Sequence, residues 1–401
     1  MGMTTRLGID DVRPLISAGS VASKAVVGEV IPVTALVWRE GHDAVSATLS
    51  AWAARTTATS SVTMQADPHD QDRVHGVFTP GIQGTWFFRV DAWSDPIATW
   101  KNAVTKKMAA GQSAAELAND LHHGADLFSR AALQTPSDVV APLFVAARDL
   151  ADESKDVDKR VQVALSDEVA DILHSHPLRD LLVEGAIHEV YVERPAALYN
   201  SWYELFPRST GGWNEEGNPV HGTFETTAKA LERVADMGFD TVYFPPIHPI
   251  GEVHRKGKNN SVVAEPGDVG SPWAIQDHST THPDLGTMED FKKLVSRAQE
   301  LGLEVALDFA LQASPDHPWA KSHPEFFTVL PDGTIAYAEN PPKKYQDIYP
   351  LNFDNASDSI YHEIYETLMI WVEAGVRTFR VDNPHTKPAN FWDWLITRVH
   401  A

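Results

Sequence analysis

Residues 375–387 read GVRTFRVDNPHTK, and this stretch decides how the second half of the chain is interpreted. The residues from Thr378 to Val381 are mostly β-branched or aromatic, which predicts a short strand. Asn383 and Pro384 end that strand, because proline has no backbone N–H to donate to a sheet. The strand therefore delivers a carboxylate, Asp382, to its C-terminal end.

Arg380 stands two residues before Asp382. Successive residues of a strand face opposite sides, so these two side chains point to the same side. The guanidinium can then keep the carboxylate charged and fix its orientation. A charged, oriented carboxylate suits nucleophilic attack on an anomeric carbon. A surface ion pair at the end of a strand has the same pattern, so this stretch alone leaves the function open.

A strand–helix rhythm fills the sequence from about residue 186. Strand patterns at 198–206, 241–244 and 303–309 alternate with helix patterns at 223–237, 287–301 and 358–373, and a glycine closes each helix. Such units predict a parallel sheet, in either a (β/α)8 barrel or a doubly wound fold, with the active site at the strand C-terminal ends. Two long loops, residues 245–286 and 310–353, follow strands there. Loops longer than about 15 residues are usually functional.

Two further segments precede this one, so we predict a multidomain protein. Residues 1–95 show short strand patterns at the spacing of an all-β sandwich. Residues 96–185 are rich in alanine and leucine at helical spacing, with a capping box at Ser113 and Glu116, and predict a helical bundle inserted before the third segment, residues 186–401. The bundle pattern indicates packing or self-association rather than catalysis.

The composition excludes several classes of function. A formal net charge of −22 makes the surface as a whole a poor partner for nucleic acid or an anionic membrane. No cysteine is present, which excludes disulfides and a thiol nucleophile. No apolar run approaches about 18 residues and no signal peptide is recognised, so we expect a cytoplasmic protein. The histidines at 122–123 and 174–176 lack acidic partners at ligand spacing, and we expect no metal and no cofactor.

Two basic clusters lie in the two long loops. The first reads HRKGKNN at residues 254–260 and the second NPPKKY at residues 340–345. They can donate hydrogen bonds to an anion such as phosphate. The first has the wrong spacing for a P-loop, and no Gly-x-Gly-x-x-Gly follows a predicted strand. Asp308 ends the preceding strand, either as an acid partner of Asp382 or as a buried brace.

Two motifs resemble conserved regions of the α-amylase superfamily, glycoside hydrolase family 13. They are LDFALQ at residues 307–312 and FRVDNPH at residues 379–385. Gln312 and Ala313 stand where most amylases have Asn-His, and His385 comes one residue earlier than usual. Together with the two basic clusters, these departures resemble the maltosyltransferases of the superfamily that use α-maltose 1-phosphate. The resemblance extends over the whole chain.

The resemblance implies a β-sandwich, a helical insert and a catalytic (β/α)8 barrel of which about the first half is present. It implies retaining transfer of maltosyl from α-maltose 1-phosphate to the non-reducing end of an α-1,4-glucan, with phosphate release, in glycogen or α-glucan biosynthesis. Asp382 would be the nucleophile and Arg380 would orient it. The donor pocket would be lined by Lys256, Asn260, Gln312, Asn340, Lys343, Tyr345 and Asn383.

The family's acid/base glutamate and its third aspartate belong to strands beyond Ala401. We therefore interpret the chain as a fragment that is inactive alone, because retaining transfer needs two carboxyl groups. The complete protein is expected to be a homodimer that binds maltose 1-phosphate and α-1,4-glucan. Two alternatives stay open: an amylase-type hydrolase of α-glucan, and a non-catalytic glucan-binding protein.

Overall fold

The computed structural model describes residues 6–70, 72–355 and 357–400, and the chain forms two compact units. The first unit ends at Tyr199 and the second begins at Asn200. The strands of the first unit are β1 (Leu7–Arg13), β2 (Ser23–Val26), β3 (Ile31–Arg39), β4 (Val45–Ala53), β5 (Thr59–Thr63), β6 (Gln65–Ala66), β7 (Arg73–Phe78), β8 (Gly84–Ser94), β9 (Asp180–Glu184) and β10 (His188–Glu193). Its helices are α1 (Pro96–Ala109), α2 (Ala114–Gln134), α3 (Ala141–Ala151), α4 (Val157–Val161) and α5 (Asp167–Ser175).

Two sheets of the first unit share one apolar core. The first sheet has the order β1-β3-β7-β6, and the second has the order β2-β10-β8-β4-β5 with β9 added to β8. Phe88, Val90 and Ala92 of β8 lie in this core, on the face that their alternation predicts. The two sheets thus pack as a sandwich.

Strand β10 joins this sandwich. It pairs with β8 and β2, and its Val190 and Val192 are buried in the sandwich core. The predicted third segment begins at residue 186 and so includes this strand, but the hydrogen bonds of the strand lie in the sandwich. Alternating apolar residues identify a strand, but they do not identify the sheet that the strand joins.

Helices α1 to α5 form a second core in the first unit. Leu117, Leu121, Ala125 and Phe128 of α2 are buried there at helical spacing, and the predicted capping box of Ser113 begins that helix. After α2, residues 137–139 form a turn, and α3 begins at Ala141.

The second unit is built on a parallel sheet with the order β11-β12-β13-β18. Its strands are β11 (Trp202–Glu204), β12 (Thr241–Phe244), β13 (Glu304–Phe309), β14 (Gln312–Ala313), β15 (Ala338–Asn340), β16 (Lys343–Tyr345), β17 (Tyr349–Pro350) and β18 (Thr378–Val381). Its helices are α6 (Phe224–Asp236), α7 (Met288–Glu300), α8 (Trp319–Ser322), α9 (Ser357–Glu373) and α10 (Ala389–His400). The strands β14 and β17, and β15 and β16, form two small antiparallel pairs.

Capping residues begin two helices of this unit, and two buried clusters join its helices to the sheet. Thr223 and Thr287 begin α6 and α7 with capping boxes, and Gly375 follows α9 with a φ of 103°, a value that favours glycine. One buried cluster joins α6 and α7 to β12 and β13, and another joins α9 and α10 to the ends of β13 and β18. Within the described residues, no helix has the length and apolar composition to cross a bilayer.

Candidate active site

A cleft of about 740 Å³ lies at the C-terminal end of β18, and we call it the Asp382 cleft. Its wall is formed by the two long loops, residues 245–286 and 310–353, and by the segment after β18. Its lining residues are Asn260, Ser271, Trp273, Leu311, Gln312, Ala338, Glu339, Asn340, Tyr345, Asp347, Ile348, Pro350, Leu351, Asp382, Asn383, His385, Thr386 and Lys387.

Asp382 is held from both sides of its carboxylate. Arg380 Nη1 donates to Oδ1 at 2.8 Å, and Asn383 Nδ2 donates to Oδ2 at 3.0 Å. The backbone N–H of Asp382 donates to the carbonyl of Phe309 at 3.2 Å, which ties the residue to the neighbouring strand. The side chain is 17% exposed. Each carboxylate oxygen thus has one protein donor and a further lone pair for a reacting atom.

Asp308 lies behind Asp382 and is a buried brace. Its side chain is 0% exposed, and its Oδ2 accepts from Tyr243 Oη at 2.5 Å, Arg380 Nη1 at 3.0 Å and Trp273 Nε1 at 3.3 Å. Burial raises the pKa of Asp308 to about 6, although the Tyr243 hydroxyl and the Arg380 charge oppose this. Of the two roles that the sequence left open, this burial supports the brace.

Arg380 connects the two aspartates, because the same Nη1 donates to both. Its guanidinium lies 5.7 Å from the centroid of the Tyr243 ring, close enough for a cation–π contact. Tyr243 therefore supports both members of the Asp308–Arg380 pair, and burial raises the pKa of its hydroxyl above the usual range. Tyr243, Asp308 and Arg380 thus form a connected group of side chains that supports the Asp382 carboxylate.

Asn383 makes the turn that opens the cleft. Its backbone is left-handed, with φ 46° and ψ 57°, a conformation that asparagine tolerates better than most residues. Lys387 follows this turn, and its Nζ donates to Thr386 Oγ1 at 2.9 Å and to the Asn383 carbonyl at 3.4 Å. Burial lowers the pKa of Lys387, and the charge of Asp382 opposes the shift.

A one-way chain of hydrogen bonds fixes the segment after β13. The Trp319 N–H donates to His317 Nδ1 at 3.1 Å, so His317 Nε2 carries the proton that it donates to His278 Nδ1 at 3.0 Å. His278 Nε2 then donates to the carbonyl of Ala310 at 2.9 Å. Burial lowers the pKa of His278 to about 4, which keeps it neutral in this chain. Gln312, two residues after Ala310, is thereby held in the cleft wall.

Asp347 and Lys256 are two buried charged residues of the loops. Asp347 lines the Asp382 cleft, is 2% exposed, and its Oδ1 has no hydrogen-bond partner among the described residues. Burial raises the pKa of Asp347, and the charges of Lys256 and His254 oppose the shift. A buried acceptor without a donor, in the wall of a cleft, is suited to a ligand hydroxyl.

The predicted site residues fall into four groups. Those that line the Asp382 cleft are Asp382, Asn383, Asn260, Gln312, Asn340 and Tyr345. Lys256 lines a neighbouring cavity of about 800 Å³, the Lys256 cavity, which shares Asn260, Ser271 and Trp273 with the cleft. Arg380 lies behind Asp382 and donates to its carboxylate.

Lys343 is not among the residues that line the cleft in the described structure. It is exposed in β16, where it pairs with Asn340. The phosphate contact that the resemblance implies for Lys343 therefore stays a prediction.

Three residues that line this cleft were not predicted as site residues: Trp273, Asp347 and Lys387. Trp273 and Asp347 lie in loops without a local motif, and their positions depend on the fold. Lys387 belongs to the quoted stretch, and its spacing of five residues from Asp382 was the available signal.

Comparisons with known proteins identify the family of the chain. Residues 5–194 match the family model of the alpha-1,4-glucan:maltose-1-phosphate maltosyltransferase, domain N/S, and residues 204–352 match that of the alpha amylase catalytic domain. The chain is 62% identical over 402 residues to the alpha-1,4-glucan:maltose-1-phosphate maltosyltransferase of Corynebacterium pseudotuberculosis, covering 99% of this chain and 60% of the relative. The chain belongs to the family of these maltosyltransferases.

Other members of this maltosyltransferase family are also similar. The protein of that name from Mycobacterium tuberculosis is 53% identical over 420 residues, covering 98% of this chain and 60% of the relative. The chain thus spans about 60% of the length of the curated relatives that it matches. Among solved structures, an alpha-amylase from Lactobacillus plantarum is 32% identical over 50% of this chain and 42% of its own, with a TM-score of 0.41, too low to define a fold.

Proposed function

We propose that the Asp382 cleft is the donor site of a retaining maltosyltransferase. The reaction transfers maltosyl from α-maltose 1-phosphate to the non-reducing end of an α-1,4-glucan and releases phosphate, in glycogen or α-glucan biosynthesis. The observation that carries the proposal is the Asp382 carboxylate, oriented by Arg380 and Asn383 at the wall of a cleft. The relatives' shared name supplies the substrates.

In the first step, a carboxylate oxygen of Asp382 attacks the anomeric carbon of the donor, and the bond from that carbon to the phosphate oxygen breaks. The product is a β-maltosyl ester of Asp382. In the second step, a glucan hydroxyl attacks the same carbon, loses its proton to a general base and frees the carboxylate. Two inversions give net retention. Arg380 and Asn383 hold the carboxylate in place for both steps, which lowers the entropic cost of reaching the transition state.

Amide and hydroxyl groups of the cleft are suited to the donor. Asn340, Tyr345 and Asn383 can donate hydrogen bonds to the phosphate, and Lys387 adds a positive charge at the same wall. Gln312 and Asn260 can bind the sugar hydroxyls, as can the unpaired Oδ1 of Asp347. A site that binds phosphate as it leaves favours transfer from a sugar phosphate over hydrolysis of a glucan.

We also propose that the parallel sheet is part of a (β/α)8 barrel. Its order, β11-β12-β13-β18, follows the chain without reversal. A doubly wound sheet has a point where the strand order reverses, whereas each strand of a barrel pairs with the next one along the chain. The long loops at the strand C-terminal ends support the same architecture.

The acid/base group is proposed to come from the part of the relatives' length that this chain does not match. Asp308 does not fit that role, because its side chain is fully buried and its Oδ2 already accepts three hydrogen bonds. We therefore expect the chain alone to turn over at least about 10²-fold more slowly than a protein of full family length.

The complete protein is proposed to act in the cytoplasm as a homodimer. Leu133 and Phe144, on two helices of the first unit, are 82% and 51% exposed, and apolar side chains exposed in this way support self-association. The absence of cysteine is compatible with a reducing compartment.

Donor binding by the chain itself tests the proposal. Calorimetric titration with maltose 1-phosphate should show one site, and Gln312→Ala and Asn260→Ala should each weaken it about three- to tenfold, because each removes a hydrogen bond. Gln134→Ala, an exposed change on α2, is the control. Binding that both cleft variants leave intact would contradict the assignment of the cleft.

Phosphate release tests the reaction. A protein of full family length should release phosphate from maltose 1-phosphate only when a maltooligosaccharide is present. Release of reducing sugar from glucan without maltose 1-phosphate would instead support an amylase-type hydrolase.

A further inference from the structure

Three potential metal ligands meet outside the Asp382 cleft. Among the described residues, His221, His282 and Asp284 bring one ligand atom each within 4.8 Å of one another. They line a cavity of about 430 Å³, which we call the His282 cavity. His221 precedes α6, and the other two precede α7, so they are distant in sequence and form no local motif.

The hydrogen bonds show which lone pairs are available. His221 Nδ1 donates to the carbonyl of Gly222 at 2.8 Å, which leaves the lone pair on Nε2. A backbone carbonyl on the other ring nitrogen is the usual arrangement for a metal-binding histidine. His282 Nδ1 accepts from the N–H of Asp284 at 3.2 Å, so its lone pair faces Asp284. The Asp284 carboxylate oxygen Oδ2 lies 4.0 Å from the same nitrogen.

The two imidazole rings are already close together. Their centroids are 5.7 Å apart, and their planes make an angle of 23°. Burial lowers the pKa of His282, and the charge of Asp284 opposes the shift. The backbone next to His221 is closely packed, since a Cβ on Gly222 would lie 2.2 Å from the carbonyl oxygen of Pro207.

Charges around the cavity are mixed. Arg208 and Arg255 line it, but Arg208 Nη1 donates to the Gly270 carbonyl at 3.0 Å, and Arg255 donates from Nε and Nη2 to two backbone carbonyls at 2.9 Å. The acidic side chains that line the same cavity are Glu252, Asp268 and Asp284. Three carboxylates against two arginines leave a net negative charge, which is compatible with a bound dication.

We propose that His221, His282 and Asp284 bind one Zn²⁺ ion. Two imidazoles and one carboxylate are a set that Zn²⁺ accepts, whereas Mg²⁺ and Ca²⁺ prefer oxygen ligands alone. Ligand bonds of about 2.0–2.2 Å in a tetrahedron require the ligand atoms to be roughly 3.4 Å apart. The three atoms therefore close by about 1 Å, and water takes the fourth position. The metal replaces the weak hydrogen bond from the Asp284 N–H to His282.

The ion would join the segment before α6 to the segment before α7. One backbone hydrogen bond, from the Phe224 N–H to the Leu285 carbonyl at 2.8 Å, already connects these segments. His221 also lines the Lys256 cavity, so an ion on His221 would stiffen one wall of it. The proposed ion would thus connect two segments of the chain, and it does not depend on the chemistry at Asp382.

Calorimetric titration of the chain with ZnCl₂ at pH 7.5 tests the site. One ion should bind, and His221→Ala, His282→Ala and Asp284→Asn should each weaken binding at least about tenfold. His123→Ala, an exposed histidine on α2, is the matched control and should leave binding unchanged. Zn²⁺ should raise the Tm of the original chain and of the control more than that of the three variants, and excess Mg²⁺ should not compete.

X-ray absorption at the zinc edge provides a second measurement. It should show two imidazole nitrogens and one or two oxygens at about 2.0–2.2 Å. Zinc affinity that is the same in the original chain and in all three variants, or no zinc binding at all, would overturn the proposal. If His221→Ala or His282→Ala does not fold without metal, Asp284→Asn decides, because this exposed isosteric change removes only the carboxylate charge.

Discussion

The ends of β13 and β18 each carry an aspartate, and the two differ in what surrounds them. Asp308 is buried and accepts three hydrogen bonds on one oxygen, whereas Asp382 lines a cleft and keeps lone pairs on both oxygens. One nitrogen of Arg380 donates to both. Their positions along neighbouring strands bring the two carboxylates together, and burial distinguishes Asp308 from Asp382, the proposed reacting group.

The largest expected effect follows from replacing Asp382, the aspartate that lines the cleft. Asp382→Asn removes the proposed nucleophile, and in a protein of full family length it should reduce kcat for phosphate release by at least about 10³-fold. The free energy of unfolding should change by less than about 1 kcal/mol, because the side chain keeps its size and lines a cleft. Steady-state kinetics and urea unfolding measure the two quantities.

Asp393→Asn, an exposed change on α10, is the control for that variant. Near-normal kcat in Asp382→Asn would show that another residue forms the covalent intermediate.

Replacing Asp308, the buried aspartate, should mainly affect stability. Asp308→Ala leaves the Tyr243 hydroxyl and Arg380 without their acceptor, and should reduce the free energy of unfolding by about 3–5 kcal/mol. Urea unfolding followed by circular dichroism measures this loss. A loss below 1 kcal/mol would contradict the role of Asp308 as a brace.

Asp308 should contribute to the pH dependence of stability. Its folded pKa of about 6 lies above the unfolded value of about 3.9, so the folded chain binds more protons between these values. This stabilising contribution is present below pH 4 and is lost as the pH rises from about 4 to about 6, a change on the order of 2–3 kcal/mol.

Asp308→Asn is the matched variant for this measurement, because it does not titrate. The difference in free energy of unfolding between the two proteins should vary over pH 4–6 and be constant above pH 7. A difference that is constant from pH 4 to pH 7 would show that burial does not raise this pKa.

The smallest expected effect comes from the residue that supports Asp308. Tyr243→Phe removes one hydrogen-bond donor but keeps the ring that lies under Arg380. It should reduce the free energy of unfolding by about 1–2 kcal/mol. The same change at Tyr199, which is 81% exposed, should have an effect below about 0.5 kcal/mol. Equal effects of the two changes would contradict the support role.

Much of the second unit could be predicted from its sequence, because its signals are local. Capping residues, apolar stripes and closing glycines place α6 and α7 within one residue of their observed ends, and β12 is predicted at its observed bounds, Thr241–Phe244. The strand before Asp382 ends where Asn383 and Pro384 predict that it ends. The shared side of Arg380 and Asp382 follows from the two-residue period of a strand.

What could not be predicted depends on contacts between distant segments. The burial of Asp308 depends on Tyr243 and Trp273, which come from other parts of the chain. Asp347 lines the cleft together with residues that are distant in sequence, such as Asn260 and Asp382. Strand β10 and the cluster of His221, His282 and Asp284 also depend on contacts between distant segments, which no local sequence pattern identifies.

Covalent trapping of the intermediate tests the central claim most directly. A protein of full family length is incubated with a slow-reacting maltosyl donor that carries fluorine in place of the 2-hydroxyl, and its peptides are analysed by mass spectrometry. Our account predicts one maltosyl adduct, on the peptide that contains Asp382 and on that residue. An adduct on a different carboxylate, or phosphate release from maltose 1-phosphate without any adduct, would contradict it.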